Sequence, residues 1–330
     1  MLISVVIRTL NEEIYLAELL ASIRSQQLPD ECATEIVVVD SGSTDKTLDI
    51  AKGHQCRVTH ISQEDFSFGR SLNQGCAFAR GEILVFVSGH CIPTDESWLA
   101  TLIRPLTDGT CSYAYGRQIG FGSTKFSESR VFLKYYPETS FLPQEGFFAN
   151  NANAALPKNI WQDNKFDESL TGLEDMHLAK RLVQSGQSIG YIADARVYHI
   201  HDESWKQVLN RFEREGAALT EIMPETGLSL LDFFECTARS IAKDCYAAVR
   251  QRSLFQNLFS IVMFRTLQYW GSYRGTRFAR MVATMRRKAY FHPDRHFERP
   301  SEKHHEDNRL VANEGAQQQS AKQELPSPRR

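Results

Sequence analysis

The chain has 330 residues, 42% of them hydrophobic and 24% charged, and a formal net charge of -2. That composition is long and apolar enough to bury a core of one domain or one and a half, and it excludes disorder over most of the length. The opening MLISVVIRTLNEE lacks a basic region and its apolar run is too short for a secretion signal; no eighteen-residue apolar run marks a transmembrane helix, so a cytoplasmic protein is expected. Seven cysteines, an odd number without Cys-x-x-Cys spacing, argue against a zinc site or a disulfide framework built on them.

In chain order, residues 3–7 read as an apolar strand, and Asn11 as the N-cap of a helix with Leu16, Leu19, Leu20 and Ile23 on one face. Residues 36–39 form a second buried strand, followed by Asp40-Ser41-Gly42-Ser43-Thr44-Asp45 as a turn into a helix that Gly53 closes. Residues 57–61 are a third strand, 70–80 a helix ending at Gly81, and 83–87 a fourth strand running into Ser88-Gly89-His90-Cys91. Continuous apolar strands alternating with helices imply an α/β fold with a mostly parallel, Rossmann-like sheet covered on both faces. Ligands in such sheets gather beyond the carboxyl ends of the strands, where Arg8 to Glu12, Asp40 and Ser88-Gly89-His90 fall. Gly89 and His90 there serve a nucleotide phosphate or its metal, or simply a turn. No Gly-x-Gly-x-x-Gly and no Walker Gly-Lys-Ser/Thr is present, which disfavours a dehydrogenase or a P-loop enzyme.

The blocks SVVIRTLNEE, EIVVVDSGSTDKT, Arg70-x-x-Asn73-x-Gly75, FANNANAALPKNIW, FDESLTGLEDMHLAKRLVQSG and VYHIH, in this order and spacing from about residue 1 to about 217, resemble the family 2 glycosyltransferases of GT-A fold. The resemblance implies an inverting transferase that moves a sugar from a UDP- or dTDP-linked donor to a glycan or lipid-linked acceptor hydroxyl. It further implies nucleotide binding by Arg8, Thr9, Asn11, Glu12, Asp40, Arg70 and Ser88, and sugar binding by Asn151 and Asn153, with Trp98 a candidate for stacking on a sugar ring. The family's Asp-x-Asp, which holds a divalent cation on the diphosphate, falls at Ser88-Gly89-His90, where neither carboxylate is present. If Mn²⁺ or Mg²⁺ binds, His90 with His199 or His201 are its expected ligands. The loop Phe66-Ser67-Phe68-Gly69-Arg70 and Pro93 resemble members that use deoxythymidine-diphosphate rhamnose.

Inversion by direct displacement needs a carboxylate to take the acceptor proton. Glu174-Asp175 opens a helix spanning 174–184, where the helix dipole favours ionised acids. The pair is either a helix cap or, as the surrounding block implies, base (Asp175) and orienting neighbour (Glu174). After a strand at 189–192, His199 and His201 share one side of a second strand by the period of two.

Residues 1–220 are therefore expected to form the catalytic domain, with a nucleotide-binding half to 100 and an acceptor half beyond it. Residues 221–295 should be helical and basic, with eleven Lys or Arg against one Asp between Ala238 and Tyr290. Arg265, Trp270, Tyr273, Arg274, Arg277, Arg280, Arg286, Arg287 and Lys288 either meet an anionic membrane surface or form a solvated face on packed helices. Nucleic acid finds no support in the first half. Residues 296–330 read as a polar, disordered tail. The leading reading is a glycosyltransferase of bacterial surface polysaccharide synthesis. Its rivals are a non-catalytic sugar-nucleotide or glycan-binding subunit and a sugar-nucleotide nucleotidyltransferase.

Overall fold

A computed structural model describes the backbone through Met285 and the side chains through Arg277. Strand β1 (Leu2–Thr9) is followed by α1 (Leu16–Arg24), β2 (Ala33–Asp40), α2 (Thr47–Gly53), β3 (Arg57–His60), α3 (Phe68–Phe78) and β4 (Ile83–Ser88). Next come β5 (Cys91–Pro93), α4 (Trp98–Thr107), β6 (Tyr113–Gly120), α5 (Phe126–Tyr135), β7 (Asn153–Pro157), α6 (Lys158–Asp163) and α7 (Glu174–Gln184). Strand β8 (Ile189–His199) then leads to the long helices α8 (Trp205–Ile222), α9 (Leu230–Arg250) and α10 (Leu254–Met285).

The sheet order is β3-β2-β1-β4-β7-β6-β8-β5. Pairing directions make β7 and β5 the reversed strands, so β1 to β4, β6 and β8 all point their carboxyl ends to one edge. The strands alternate between two cores. Val5, Val85 and Val87 pack with Leu19 of α1 and Leu102 of α4, while Val6, Leu84 and Phe86 pack on the opposite face with Leu72 of α3 and Leu178 of α7. A side-chain period of two is what lets one strand serve both layers.

Three details differ from the sequence reading. Asn11 is not an N-cap: α1 begins five residues later behind Tyr15, with no side-chain cap, and Asn11 takes a left-handed φ of 57° to hold a loop. Helix α3 begins at Phe68, capped by Ser67 Oγ accepting the Arg70 N–H. The two short strands expected around 189 and 197 are one, because the extra residues 193–195 of β8 bulge out opposite the Gly116–Arg117 step of β6 and pairing resumes at Arg196.

The helices beyond β8 are built onto the rest of the chain. Helix α10 lies along α8 through glycines: a Cβ at Gly275 would stand 2.1 Å from Glu213 O, and one at Gly271 2.8 Å from Leu209 O. Arg265 is not a surface cation but a buried one, donating to Asp244 Oδ2 at 2.7 Å and to the Ser127 carbonyl. Arg274 pairs with Glu213 at 3.3 Å. Arg280, Arg286, Arg287, Lys288 and the tail expected at 296–330 lie outside the residues described with side chains. Among the described residues no helix is long and apolar enough to cross a membrane.

Candidate active site

At the carboxyl edge the loops after β1 and β2 are laced together. Asn11 N–H donates to Ser43 Oγ, Thr44 N–H to Asn11 Oδ1, Glu12 N–H to Thr47 Oγ1 and Glu13 N–H to Asp45 Oδ2, all between 2.7 and 3.0 Å. Asp40, 1% exposed, accepts from Gly42 and Ser43 N–H through Oδ2 and from Thr9 Oγ1 through Oδ1. Its first effect is thus to shape the turn after β2. Thr9 is likewise buried, its carbonyl accepting from Ser41. Ser88 ends β4 opposite Arg8 and is half-buried.

The polar loop after β4 enters this framework through glycine. A Cβ at Gly89 would stand 2.8 Å from Glu12 Cγ, so the glycine lets the Glu12 side chain lie across the loop and accept from His90 Nδ1 at 2.9 Å. His90 O accepts the Ile200 N–H, which brings the end of β8 alongside. Three imidazoles then converge. His90 Nε2 is 3.2 Å from His199 Nε2, and His201 Nε2 is 2.9 Å from the same atom. Each opposite ring nitrogen has an oxygen partner: Glu12 for His90, Gln118 Oε1 at 2.6 Å for His199, and Glu128 Oε1 at 2.7 Å for His201. Gln118 is oriented by donating its amide to Asn150 Oδ1, which also accepts Ala152 N–H. Burial and the neighbouring cations hold the His199 and His201 pKa values well below the ordinary imidazole value. Burial works against protonation of His90 as well, but the Glu12 carboxylate outweighs it and raises that pKa.

Beside the histidines stands the acidic pair. Glu174 and Asp175 open α7 behind Leu173, whose left-handed φ of 56° turns the chain into the helix without any side-chain cap. Glu174 Oε1 accepts from Arg8 NH1 at 3.2 Å, tying α7 to the end of β1. Asp175 Oδ2 accepts the Asn151 N–H at 2.9 Å and Oδ1 the Met176 N–H at 2.7 Å. Burial, followed by the Glu174 charge, raises the Asp175 pKa to about 7. A carboxylate poised there is half ionised near neutral pH, as a general base requires. The segment 150–153 joins both clusters, since Asn150 sets Gln118 and Asn151 holds Asp175.

Several expected contacts are internal instead. Asn153 is fully buried, its Oδ1 accepting from Trp98 Nε1 at 2.9 Å and its amide donating to the Ala195 and Arg117 carbonyls. Neither Asn153 nor the equally buried Trp98 has surface left for a sugar. Arg70 donates to Glu168 Oε2 and to the Asp65 carbonyl, and Asn73 of the same helix bonds Trp161, Phe166 and Glu168, so this block fastens α3 to the 161–168 loop. Asn151 is intermediate: its Oδ1 accepts from Tyr113 OH while its buried Nδ2 has no partner. Four residues went unnamed in the sequence reading: Gln118, Glu128, Arg211, which bridges Glu128 and Glu203, and Arg214, stacked 4.6 Å over the Phe68 ring that Arg8 also covers at 5.0 Å. Glu128, four residues before Phe132 on the apolar side of α5, was detectable as an acid at a core position.

A mostly parallel sheet with two reversed strands, helices on both faces and a polar crevice beyond β1, β2 and β4 defines the GT-A architecture. The chain matches the model of glycosyl transferase family 2 over residues 4–162, just under half of its length. It is 25% identical over 194 residues to the O-antigen chain rhamnosyltransferase WbaN of Salmonella anatum, covering 56% of this chain and 62% of the relative. With RfbN, the O-antigen chain rhamnosyltransferase of Salmonella typhimurium, it shares 24% over 229 residues, or 66% and 72% of the two chains. The match thus spans less than two thirds of the first relative. Among solved structures, the mannosyltransferase PcManGT of Pyrobaculum calidifontis, in complex with GDP-Man and Mn²⁺, superposes with a TM-score of 0.58 at 17% identity over 86% of this chain and 87% of that one, a likeness of fold.

Proposed function

We propose that this protein is an inverting glycosyltransferase that moves a sugar, rhamnose by the names of its relatives, from a nucleotide-diphosphate donor to a hydroxyl of a glycan or lipid-linked acceptor in surface polysaccharide synthesis. The carrying observation is Asp175, a nearly buried carboxylate with a pKa of about 7, held by two backbone N–H groups beside the Arg8–Glu174 pair. In the reaction the Asp175 carboxylate takes the acceptor hydroxyl proton as the acceptor oxygen bonds the anomeric carbon. The bond from that carbon to the diphosphate oxygen breaks, and its electron pair leaves with the nucleoside diphosphate. Glu174 keeps Arg8 at the site, where the guanidinium, with Arg214 across Phe68, favours the departing negative charge. Asn151 serves through its backbone N–H, which holds Asp175 Oδ2. Arg8, Thr9, Asn11, Glu12, Asp40 and Ser88 form the nucleotide side, Asp40 and Asn11 chiefly by fixing the loops.

A divalent cation at the site would neutralise the diphosphate, and His90, His199 and His201 are the residues whose nitrogens converge to hold one. The exposed, cationic turn between α9 and α10 supports placing the enzyme against an anionic membrane surface, where a lipid-linked acceptor would reside. The test is turnover of dTDP-rhamnose and other sugar nucleotides by the wild type and by Asp175→Asn. Tight binding of a sugar nucleotide with no transfer to any acceptor would instead support a binding subunit.

A further inference from the structure

We infer that His90, His199 and His201 form a tris-imidazole site for Zn²⁺, in place of the carboxylate-held Mg²⁺ or Mn²⁺ that an Asp-x-Asp would bind. The inference deepens the proposed function, since it names the class of ion for that site.

The convergence of the ring nitrogens carries it. An imidazole whose Nδ1–H donates to an oxygen presents a lone pair at Nε2. Glu12, Gln118 and Glu128 each place an oxygen on one Nδ1, so three Nε2 lone pairs face one another with separations of 3.2 and 2.9 Å along the chain of three. Lone pairs at that distance repel unless a proton or a metal ion lies among them, and a metal ion engages all three nitrogens at once. Nitrogen ligands roughly 2.0–2.1 Å from one zinc ion, set at tetrahedral or octahedral angles, stand about 2.8 to 3.4 Å apart, which brackets both separations seen. The outer ring is of the kind that holds metal-ligating histidines, a carboxylate or amide oxygen behind each imidazole.

The donor set then selects the ion. Imidazole nitrogen suits zinc and its later transition-metal neighbours, whereas Mg²⁺ and Mn²⁺ prefer carboxylate and water oxygen. The nearby carboxylates stand behind the imidazoles, Glu12 with Oε1 on His90 and Glu128 with Oε1 on His201 and Arg211. The second acidic cluster, Glu128, His201 and Glu203, already has its cation in Arg211, 2.7 Å from Glu203 Oε2.

The test uses the full chain stripped of metal by chelation. Calorimetric titration at neutral pH should show one Zn²⁺ per chain, bound at least ~100-fold more tightly than Mg²⁺ or Mn²⁺. Co²⁺ should give the visible ligand-field bands of an ion among nitrogen ligands. His90→Gln, at a half-exposed position, should abolish both signals with the circular dichroism unchanged. Glu12→Gln, which keeps an oxygen on Nδ1 but removes its charge, should weaken Zn²⁺ by about 10- to 100-fold. Zn²⁺ bound no better than by His90→Gln, or displaced by equimolar Mg²⁺ or Mn²⁺, overturns the inference. Sugar transfer supported by Mg²⁺ in a protein that ignores Zn²⁺ would sink this inference while leaving the proposed function standing; tight Zn²⁺ binding with no transfer under any metal would do the reverse.

Discussion

The Asp175 carboxylate shows how the site sets its own working pH. Burial and Glu174 favour its neutral form, two backbone donors favour the charged one, and the balance falls at about 7. With Asp175 as the proposed base, activity should be lost on the acid side: kcat/KM is expected to fall about tenfold per pH unit below ~7, reading the coupled pair in the free enzyme. A profile flat from pH 5 to 8 would remove Asp175 from proton transfer. Asp175→Asn should lower kcat by ~100- to 10,000-fold with donor affinity nearly unchanged. The amide can accept from only one of the Asn151 and Met176 N–H groups and must set its NH₂ against the other. A stability loss of about 1–3 kcal/mol should therefore accompany the substitution, and activity is to be compared at a temperature where both forms are folded. If this variant turns over normally while Glu174→Gln is dead, the two roles are exchanged.

At the scale of elements, what was legible followed from repetition along the chain. Apolar runs and their periods located β1 to β4, α1 and α7, since burial on one or two faces is written into neighbouring residues. The partnerships of single polar side chains were not legible. Asn153 and Trp98 look like sugar contacts on paper, yet they bond each other in the core across 55 residues of sequence. Gln118 and Glu128 reach their histidines from β6 and α5, and no local pattern announces either contact. Nor does a glycine in a long helix reveal what passes beside it. The α8–α10 contact tests that last point. A Cβ at Gly275 would meet backbone, Glu213 O at 2.1 Å and Ala217 N at 2.7 Å, which no rotamer change relieves. Gly275→Ala should therefore push the helices apart and cost roughly 1–3 kcal/mol, outweighing the gain in helix propensity of about 1 kcal/mol that alanine brings. Urea denaturation measures it; a variant as stable as wild type would show that α10 shifts freely along α8.

For the molecule as a whole, charge and apolar surface coincide at the turn between α9 and α10. From Cys236 to Met285 the single acid is Asp244, and Arg265 already neutralises it in the interior. Lys243, Arg250 and Arg252 are exposed there, beside Phe255 at 96% and Phe259 at 69% exposure, with Tyr246 and Val249 also uncovered. Arg130 joins Lys243, Tyr246 and Arg250 around a cleft of about 520 Å³. Cations ringing aromatic side chains match the headgroup and acyl boundary of an anionic leaflet. The proposed membrane-facing surface therefore lies at this helical turn and not at Arg265 and Arg274, which pair with Asp244 and Glu213. Each cation near such a surface contributes about 1 kcal/mol, an attraction confined within a Debye length of ~8 Å at physiological salt. Flotation with phosphatidylserine-containing vesicles should recover the protein at low salt and lose it at 0.5 M salt. Lys243→Gln combined with Arg250→Gln and Arg252→Gln should abolish recovery, because removing three charges forfeits ~3 kcal/mol, more than a hundredfold in partitioning. Phe255→Ser should weaken recovery at low salt while leaving the lipid-charge preference intact, since its contribution is apolar. Equal recovery on neutral and anionic vesicles, unchanged in the triple variant, would show that this turn does not face the membrane.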